Sequence, residues 1–294
     1  MLAEAALKLP EDNPLSKLPP LRDVIANYQI SARKSLGQNF LLDLNISRRI
    51  AAAAGPFNKT VVLEIGSGPG GLTRSLLELG AERVLAVERD SRCIAALEDI
   101  KALVDNRLVI HNEDAFCLDI ESLVDQYGRL RVVANLPYNI ATPLLLGWLA
   151  KMDLFDGFLL MFQKEVADRI IAVPGSKKYG RLSVAAQWRC ETRQLFTLSP
   201  RVFVPSPKVA STVVEFKPRP QTLAAADPVI LEKVVAAAFA QRRKMLRSSL
   251  NKLFADPEKT LLEIGISPTA RAETIDIRGF CAISRKLAEL PSIN

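Results

Sequence analysis

Val61-Val62-Leu63-Glu64-Ile65-Gly66-Ser67-Gly68-Pro69-Gly70-Gly71-Leu72-Thr73-Arg74-Ser75-Leu76-Leu77 is the stretch on which the fold turns. The β-branched, apolar run 61–63 reads as a buried parallel strand, and 72–77 opens a helix. Strand, tight turn and helix begin an α/β unit. Glycine is needed in the turn because the backbone bends sharply and approaches a ligand closely, which a Cβ would obstruct. Gly66, Gly68 and Gly71 satisfy G-x-G-x-x-G. That pattern points to a nucleoside cofactor and leaves a dinucleotide-binding site as a competitor.

Two further strands extend the same reading. Residues 84–87 end at Glu88, where a carboxylate accepts from the two hydroxyls of a ribose; the bland alternative is a solvated strand end. Residues 108–110 lead to Asn112-Glu113-Asp114-Ala115. Asp114 fits the amino group of an adenine, or equally a helix cap before Ala115.

A fourth strand, 130–134, delivers Asn135-Leu136-Pro137-Tyr138 to the carboxyl edge of the sheet, where open parallel sheets bind ligands. The N6 amine of adenine is a poor nucleophile because its lone pair is delocalised into the ring. Held through its two N–H groups by the Asn135 side-chain carbonyl and by the Leu136 or Pro137 backbone carbonyl, it becomes pyramidal and able to attack. Proline removes a donor and fixes the turn, and Tyr138 offers a plate for stacking on the base. The alternative is a plain Pro-containing turn before a helix at 142–145. With the glycine turn, the chemistry suggested is methylation of an exocyclic amine, and no strong general base is required.

Six separated motifs now stand in one order. They are Ser31-Ala32-Arg33-Lys34-Ser35-Leu36-Gly37-Gln38-Asn39-Phe40-Leu41, the 64–71 turn, 135–138, Phe162-Gln163-Lys164-Glu165-Val166-Ala167, Phe203-Val204-Pro205-Ser206-Pro207-Lys208-Val209 and Gln241-Arg242-Arg243-Lys244. Over roughly residues 20–290 the chain resembles the ribosomal RNA adenine N6,N6-dimethyltransferases, in particular the bacterial branch acting on the small subunit. The resemblance implies an α/β fold, a Rossmann-like class I methyltransferase sheet with a small α-helical carboxyl-terminal domain. It implies S-adenosyl-L-methionine as cofactor and, as substrate, two adjacent adenosines near the 3′ end of 16S rRNA in the immature 30S subunit, with a role in ribosome biogenesis.

Position by position, the resemblance puts Asn39 and Leu41 at the cofactor with Gln38 beside them. Gly66 meets the methionine part within a turn that includes Gly68, Glu88 the ribose and Asp114 the adenine. It puts Asn135 between cofactor and target amine, Leu136, Pro137 and Tyr138 around the target, and Phe203 on the other face of the target base. Rival readings are a 23S rRNA methyltransferase of the macrolide-resistance type, an assembly factor acting mainly by binding, and a nicotinamide-dependent dehydrogenase.

Composition agrees. The 294 residues suffice for one large domain and one small one, and the net charge of +7 suits an anionic partner. His111 is the only histidine, and the four cysteines (93, 117, 190 and 281) contain no C-x-x-C pair. No metal site is therefore expected, and four reduced buried thiols are the ordinary expectation. No apolar run approaches the ~20 residues that cross a bilayer, and acidic residues with prolines near the amino terminus argue against a targeting peptide. A cytoplasmic monomer follows as the expectation.

Residues 158–162 read as a fifth strand, 164–170 as a helix, 174–181 as a basic loop and 211–216 as a last strand. Lys217-Pro218-Arg219-Pro220 and Ala226-Asp227-Pro228 mark a linker. The expected division is thus 1–219, with about 1–20 poorly ordered, and 220–294. In the second domain Val235, Phe239, Leu246 and Leu250 take core positions at helical spacing. Arg242, Arg243, Lys244 and Arg247 cluster on the same helix as candidate RNA contacts, the alternative being a solvated face.

Overall fold

A computed structural model describes residues 13–33 and 36–290. In chain order the elements are α1 (Leu21–Asn27), β1 (Phe40–Leu41), α2 (Leu44–Ala54), β2 (Val61–Ile65), α3 (Gly71–Glu78), β3 (Arg83–Glu88), α4 (Ser91–Lys101), β4 (Leu108–Asn112), α5 (Ile120–Tyr127), β5 (Leu130–Ala134), α6 (Tyr138–Ala150), β6 (Phe155–Gln163), α7 (Lys164–Ile170), α8 (Arg181–Arg189), β7 (Cys190–Leu198), β8 (Phe203–Val204), β9 (Ser211–Pro218), α9 (Pro228–Ala240), α10 (Leu246–Ser249), α11 (Pro257–Glu263) and α12 (Ile277–Ala288).

All five residues of β2 are buried, as a strand covered on both faces requires. It pairs in parallel with β3 on one side and β5 on the other, and β4 and β6 extend the sheet outward in parallel. The sheet order is β4-β3-β2-β5-β6-β9-β7. Chain order reverses between β2 and β5, and at such a switch point the loops leaving the two strands separate and open a crevice. The Glu64–Gly71 turn and the 135–138 turn both start there.

By contact the chain falls into two compact units. One comprises Met1–Leu144, Asp153–Gln163 and Leu195–Val214; the other comprises Leu145–Met152, Lys164–Gln194 and Glu215–Asn294. A single cut at 219/220 is therefore corrected. Residues 164–194 belong with the later helices because Ala172, Tyr179, Val184 and Trp188 share a core with Leu231, Val235, Leu246, Leu250 and Phe280. The 219–226 stretch is no free linker either: Leu223 N–H donates to the Trp188 carbonyl, and Leu223, Ala224 and Ala226 pack on that core. The first unit has its own core, in which Leu76, Val84, Leu97 and Val133 are fully buried.

The amino-terminal expectation divides in two. Residues 1–12 lie outside the described residues, but 13–20 are structured. Asn13 caps the short 3-10 turn Pro14–Lys17, Leu15 is buried, and the Pro19 carbonyl accepts from Arg74 at 2.7 Å. No helix among the described residues is long and apolar enough to cross a membrane.

Candidate active site

The glycine turn owes its shape to contacts on both sides. Gly66, Gly68 and Gly70 have φ of +70°, +55° and +86°, the left-handed region that side chains rarely adopt. A Cβ on Gly70 would stand 2.3 Å from Ile100, so the turn sits directly on α4. One cleft of about 1100 Å³, counting its open mouth, is lined by this turn, by 36–41, by 87–89, by 113–115 and by 135–140. Gln38, Asn39, Leu41, Gly66, Gly68, Glu88, Asp114 and the 135–138 turn, separated by up to a hundred residues of sequence, all line it. Ser67 is buried on its wall, with its hydroxyl beside the Glu64 carboxyl. Donors and acceptors of this kind around an apolar floor fit S-adenosyl-L-methionine.

Three carboxylates stand at the cleft in different states. Glu88 is buried and accepts three backbone N–H bonds, from Gly68 at 2.8 Å and from Arg89 and Asp90 at 2.8 and 2.9 Å. It joins the glycine turn to the end of β3, where a ribose would be held. Asp114 receives Arg89 Nη1 at 2.6 Å and accepts from Phe116 N–H at 3.0 Å, so it does cap a turn while facing the cleft. Glu64, to which the sequence reading gave no role, is 1% exposed and accepts from the Thr73 hydroxyl at 2.6 Å. Burial pushes its carboxyl up to about 8, against the opposing Thr73 bond and with help from the Glu88 charge.

The 135–138 turn carries the most specific geometry. Asn135 Nδ2 donates to the Asn39 carbonyl at 3.2 Å, which commits the nitrogen of the amide and leaves its oxygen as the acceptor. The Pro137 carbonyl accepts from Ile140 and Ala141, at 3.1 and 3.2 Å, because α6 starts at once at Tyr138 rather than near residue 142. Of the two backbone carbonyls considered for the target amine, Leu136 is therefore the one not already used by the helix. The Tyr138 hydroxyl is 2.6 Å from Ser211 Oγ, and burial of the ring pushes the phenol upward. Gly37 (φ +62°) packs against this turn: a Cβ there would meet Asn139 Oδ1 at 2.7 Å and Pro137 Cβ at 3.3 Å.

Several expectations are corrected. Phe203 is 2% exposed and belongs to the hydrophobic core, opposite Leu41 in the β1–β8 pair, so it has no face to offer a base. The basic cluster is not on one helix: α9 ends at Ala240, α10 begins at Leu246, and Arg242, Arg243 and Lys244 lie in the turn between. Arg242 is turned to the protein, donating to Glu273 at 2.9 Å, to the Tyr179 carbonyl at 3.2 Å and to the Lys177 carbonyl. Arg247 pairs with Glu258 at 2.9 Å. Arg242, Arg243 and Lys244 are all exposed, but of the three Arg242 is tied back to its own chain by the bonds just given. Cys117 is exposed, not buried; the other three thiols are buried, and burial raises all three. Among the described residues no group of three His, Cys, Asp or Glu side chains could hold a metal ion.

Asp90 and Arg92, just after Glu88, carry no motif by which the sequence alone would single them out. The Arg92 guanidinium holds the Asp90 carboxyl at about 2, below the usual carboxylate range.

Residues 29–289 match the family model described as ribosomal RNA adenine dimethylase. The chain belongs to the ribosomal RNA adenine dimethylase family. That family is one of S-adenosylmethionine-dependent rRNA adenine methyltransferases. Among its relatives, this dimethylase-family chain is 55% identical over 282 residues to the ribosomal RNA small subunit methyltransferase A of Rhodospirillum rubrum, covering 96% of this chain and 97% of that one. The protein of the same description from Rhodopseudomonas palustris is 54% identical, covering 95% and 98%. A solved dimethyladenosine transferase from Plasmodium falciparum has TM-score 0.74 at 25% identity, covering 84% of this chain and 96% of the other. The 23S rRNA methyltransferase ErmE shares the fold, with TM-score 0.64 at 23% identity and coverage of 85% and 100%.

Proposed function

We propose that this chain transfers methyl groups from S-adenosyl-L-methionine to N6 of two adjacent adenosines near the 3′ end of 16S rRNA, two to each, in the immature small subunit. The observation that carries this reading is the Asn135 amide, whose nitrogen is committed to the Asn39 carbonyl while its oxygen and the Leu136 carbonyl remain for an amine with two N–H groups. The small-subunit description shared by relatives more than half identical over nearly their full length favours 16S over 23S rRNA.

Bound in the cleft, the cofactor supplies an electrophilic methyl carbon. Glu88 orients the ribose, Asp114 the adenine of the cofactor, and Gly66 with Ser67 the amino-acid end. The target adenosine leaves its stack at a cost of a few kcal/mol and rests on Tyr138. Asn135 and the Leu136 carbonyl would hold the two N–H groups of the amine and so leave its lone pair free to attack the methyl that the cofactor would supply. Position and fixed dipoles supply the acceleration, and the proton leaves the amine after transfer. Arg243 and Lys244 contact the RNA backbone. The enzyme works as a cytoplasmic monomer without a metal.

The deciding experiment incubates the chain and labelled cofactor with immature small subunits from a strain lacking this activity, and locates the product by mass spectrometry. Dimethyladenosine at two adjacent positions near the 3′ end of 16S rRNA is expected. Label in 23S rRNA, or none at all, refutes the reading.

A further inference from the structure

We propose that Arg92, together with Asp90, is a positioning pair that holds the amino-terminal motif in place and through it fixes the amide of Asn135. The inference rests on the assignment of Asn135 made above. An arginine has five N–H donors, and here all five are used. Nε donates to Asp90 Oδ1 at 3.0 Å and Nη2 to Asp90 Oδ2 at 2.7 Å. The remaining three go to the amino-terminal motif or its approach: to the Gln29 carbonyl, to Ser31 Oγ and to the Ser31 carbonyl, each at 3.0 Å. Such a guanidinium has nothing left for a phosphate, so this cation is a brace rather than an RNA ligand.

The grip is doubled on the other side of the motif. Asp90 Oδ2 also accepts from Gln38 Nε2 at 3.3 Å, and Gln38 Oε1 accepts from Arg33 N–H at 2.9 Å. One residue further, the Asn39 carbonyl receives Asn135 Nδ2. Gln29 has φ +50° because α1 ends there in a left-handed cap, in which Gln29 N–H donates to the Ala26 carbonyl and Ile30 N–H to the Ile25 carbonyl, and Arg92 takes the carbonyl of that cap. Asp90 N–H in turn donates to Glu88. Ribose carboxylate, brace, amino-terminal motif and Asn135 thus form one hydrogen-bonded chain, and an amide whose nitrogen lost its carbonyl partner would rotate freely between productive and inverted orientations.

Arg92→Lys tests this. Lysine keeps the charge beside Asp90 but cannot reproduce the fork. Because the loss falls on the alignment of Asn135, the expected result is a fall in kcat of about tenfold or more. KM for immature small subunits and the salt dependence of subunit binding stay unchanged, and amide exchange speeds up at Arg33, whose N–H is held by Gln38. Gln38→Ala should give a similar kcat defect, and the double variant should lose little beyond the worse single one, since both act through one segment. Wild-type kcat in Arg92→Lys, a defect confined to melting temperature, or a reduced salt slope would each overturn the proposal. A wild-type enzyme that methylates no small subunit would instead sink the functional reading. The brace would still be tested by amide exchange and by the affinity of the two variants for S-adenosylhomocysteine.

Discussion

Glu64→Gln should flatten the pH dependence of stability. The Glu64 carboxyl is pushed up to about 8 in the folded chain, against an ordinary value of 4.5. A group whose folded value is raised contributes stability that is fully present below the unfolded value and is lost as pH rises through the folded one. The window is therefore pH 4.5 to about 8, in which the folded state keeps a proton that the unfolded chain has released. Each unit is worth about 1.4 kcal/mol, so between pH 5 and pH 8 the wild type loses on the order of 4 kcal/mol from this site alone. Glutamine keeps the acceptor for the Thr73 hydroxyl and has no proton to lose. Urea or thermal unfolding of both proteins at pH 5, 6, 7 and 8 gives the difference in stability, in which all other titrations cancel. The variant should gain on the wild type steadily with rising pH. A difference independent of pH would refute the claim that this buried carboxyl is protonated in the fold.

Four further outcomes can be checked separately. Asn135→Ala should abolish transfer, while S-adenosylhomocysteine affinity by calorimetry stays within a few fold; near-normal methylation would remove its assigned role. Tyr138→Phe loses the bond to Ser211 and keeps the ring, so kcat should fall by no more than about tenfold, or roughly 1.4 kcal/mol, with Tyr138→Ala far worse. Gly37→Ala imposes left-handed strain of about 1 to 2 kcal/mol and pushes on Pro137, so it should lower kcat by more than its effect on the melting temperature explains. Charge reversal at Arg243 or Lys244 should reduce the salt slope of RNA binding by about one unit each, whereas Arg242→Ala should leave the slope intact and loosen residues 176–179 instead.

What was legible in the sequence is what is chemically compact. The 64–71 and 135–138 turns each carry their function in a few consecutive residues, and the strands before them are apolar enough to be read as buried. What escaped is built from distant or bland residues. Arg92 and Ser31 are 61 positions apart, and neither looks unusual alone. The strand β7, Cys-Glu-Thr-Arg-Gln-Leu-Phe-Thr-Leu, is last in the sheet order and largely exposed, so no apolar run announces it. Phe203 has an aromatic's chemistry, but its strand partner Leu41 draws it into the core. Arg242 sits in a run of cations whose shared charge hides that one of them is an anchor. The division into units failed as a cut in sequence because 164–194 supplies apolar side chains to a core completed only by later helices.

The pair of acceptors at Asn135 and Leu136 has a stoichiometric consequence. An unmodified adenine brings two hydrogens to them, but after one round the same nitrogen brings a single hydrogen and a methyl. The second round must then run with one oxygen facing carbon, a mismatch worth about 1 to 3 kcal/mol where water is excluded. The singly modified nucleotide should consequently build up early in a time course before it is consumed.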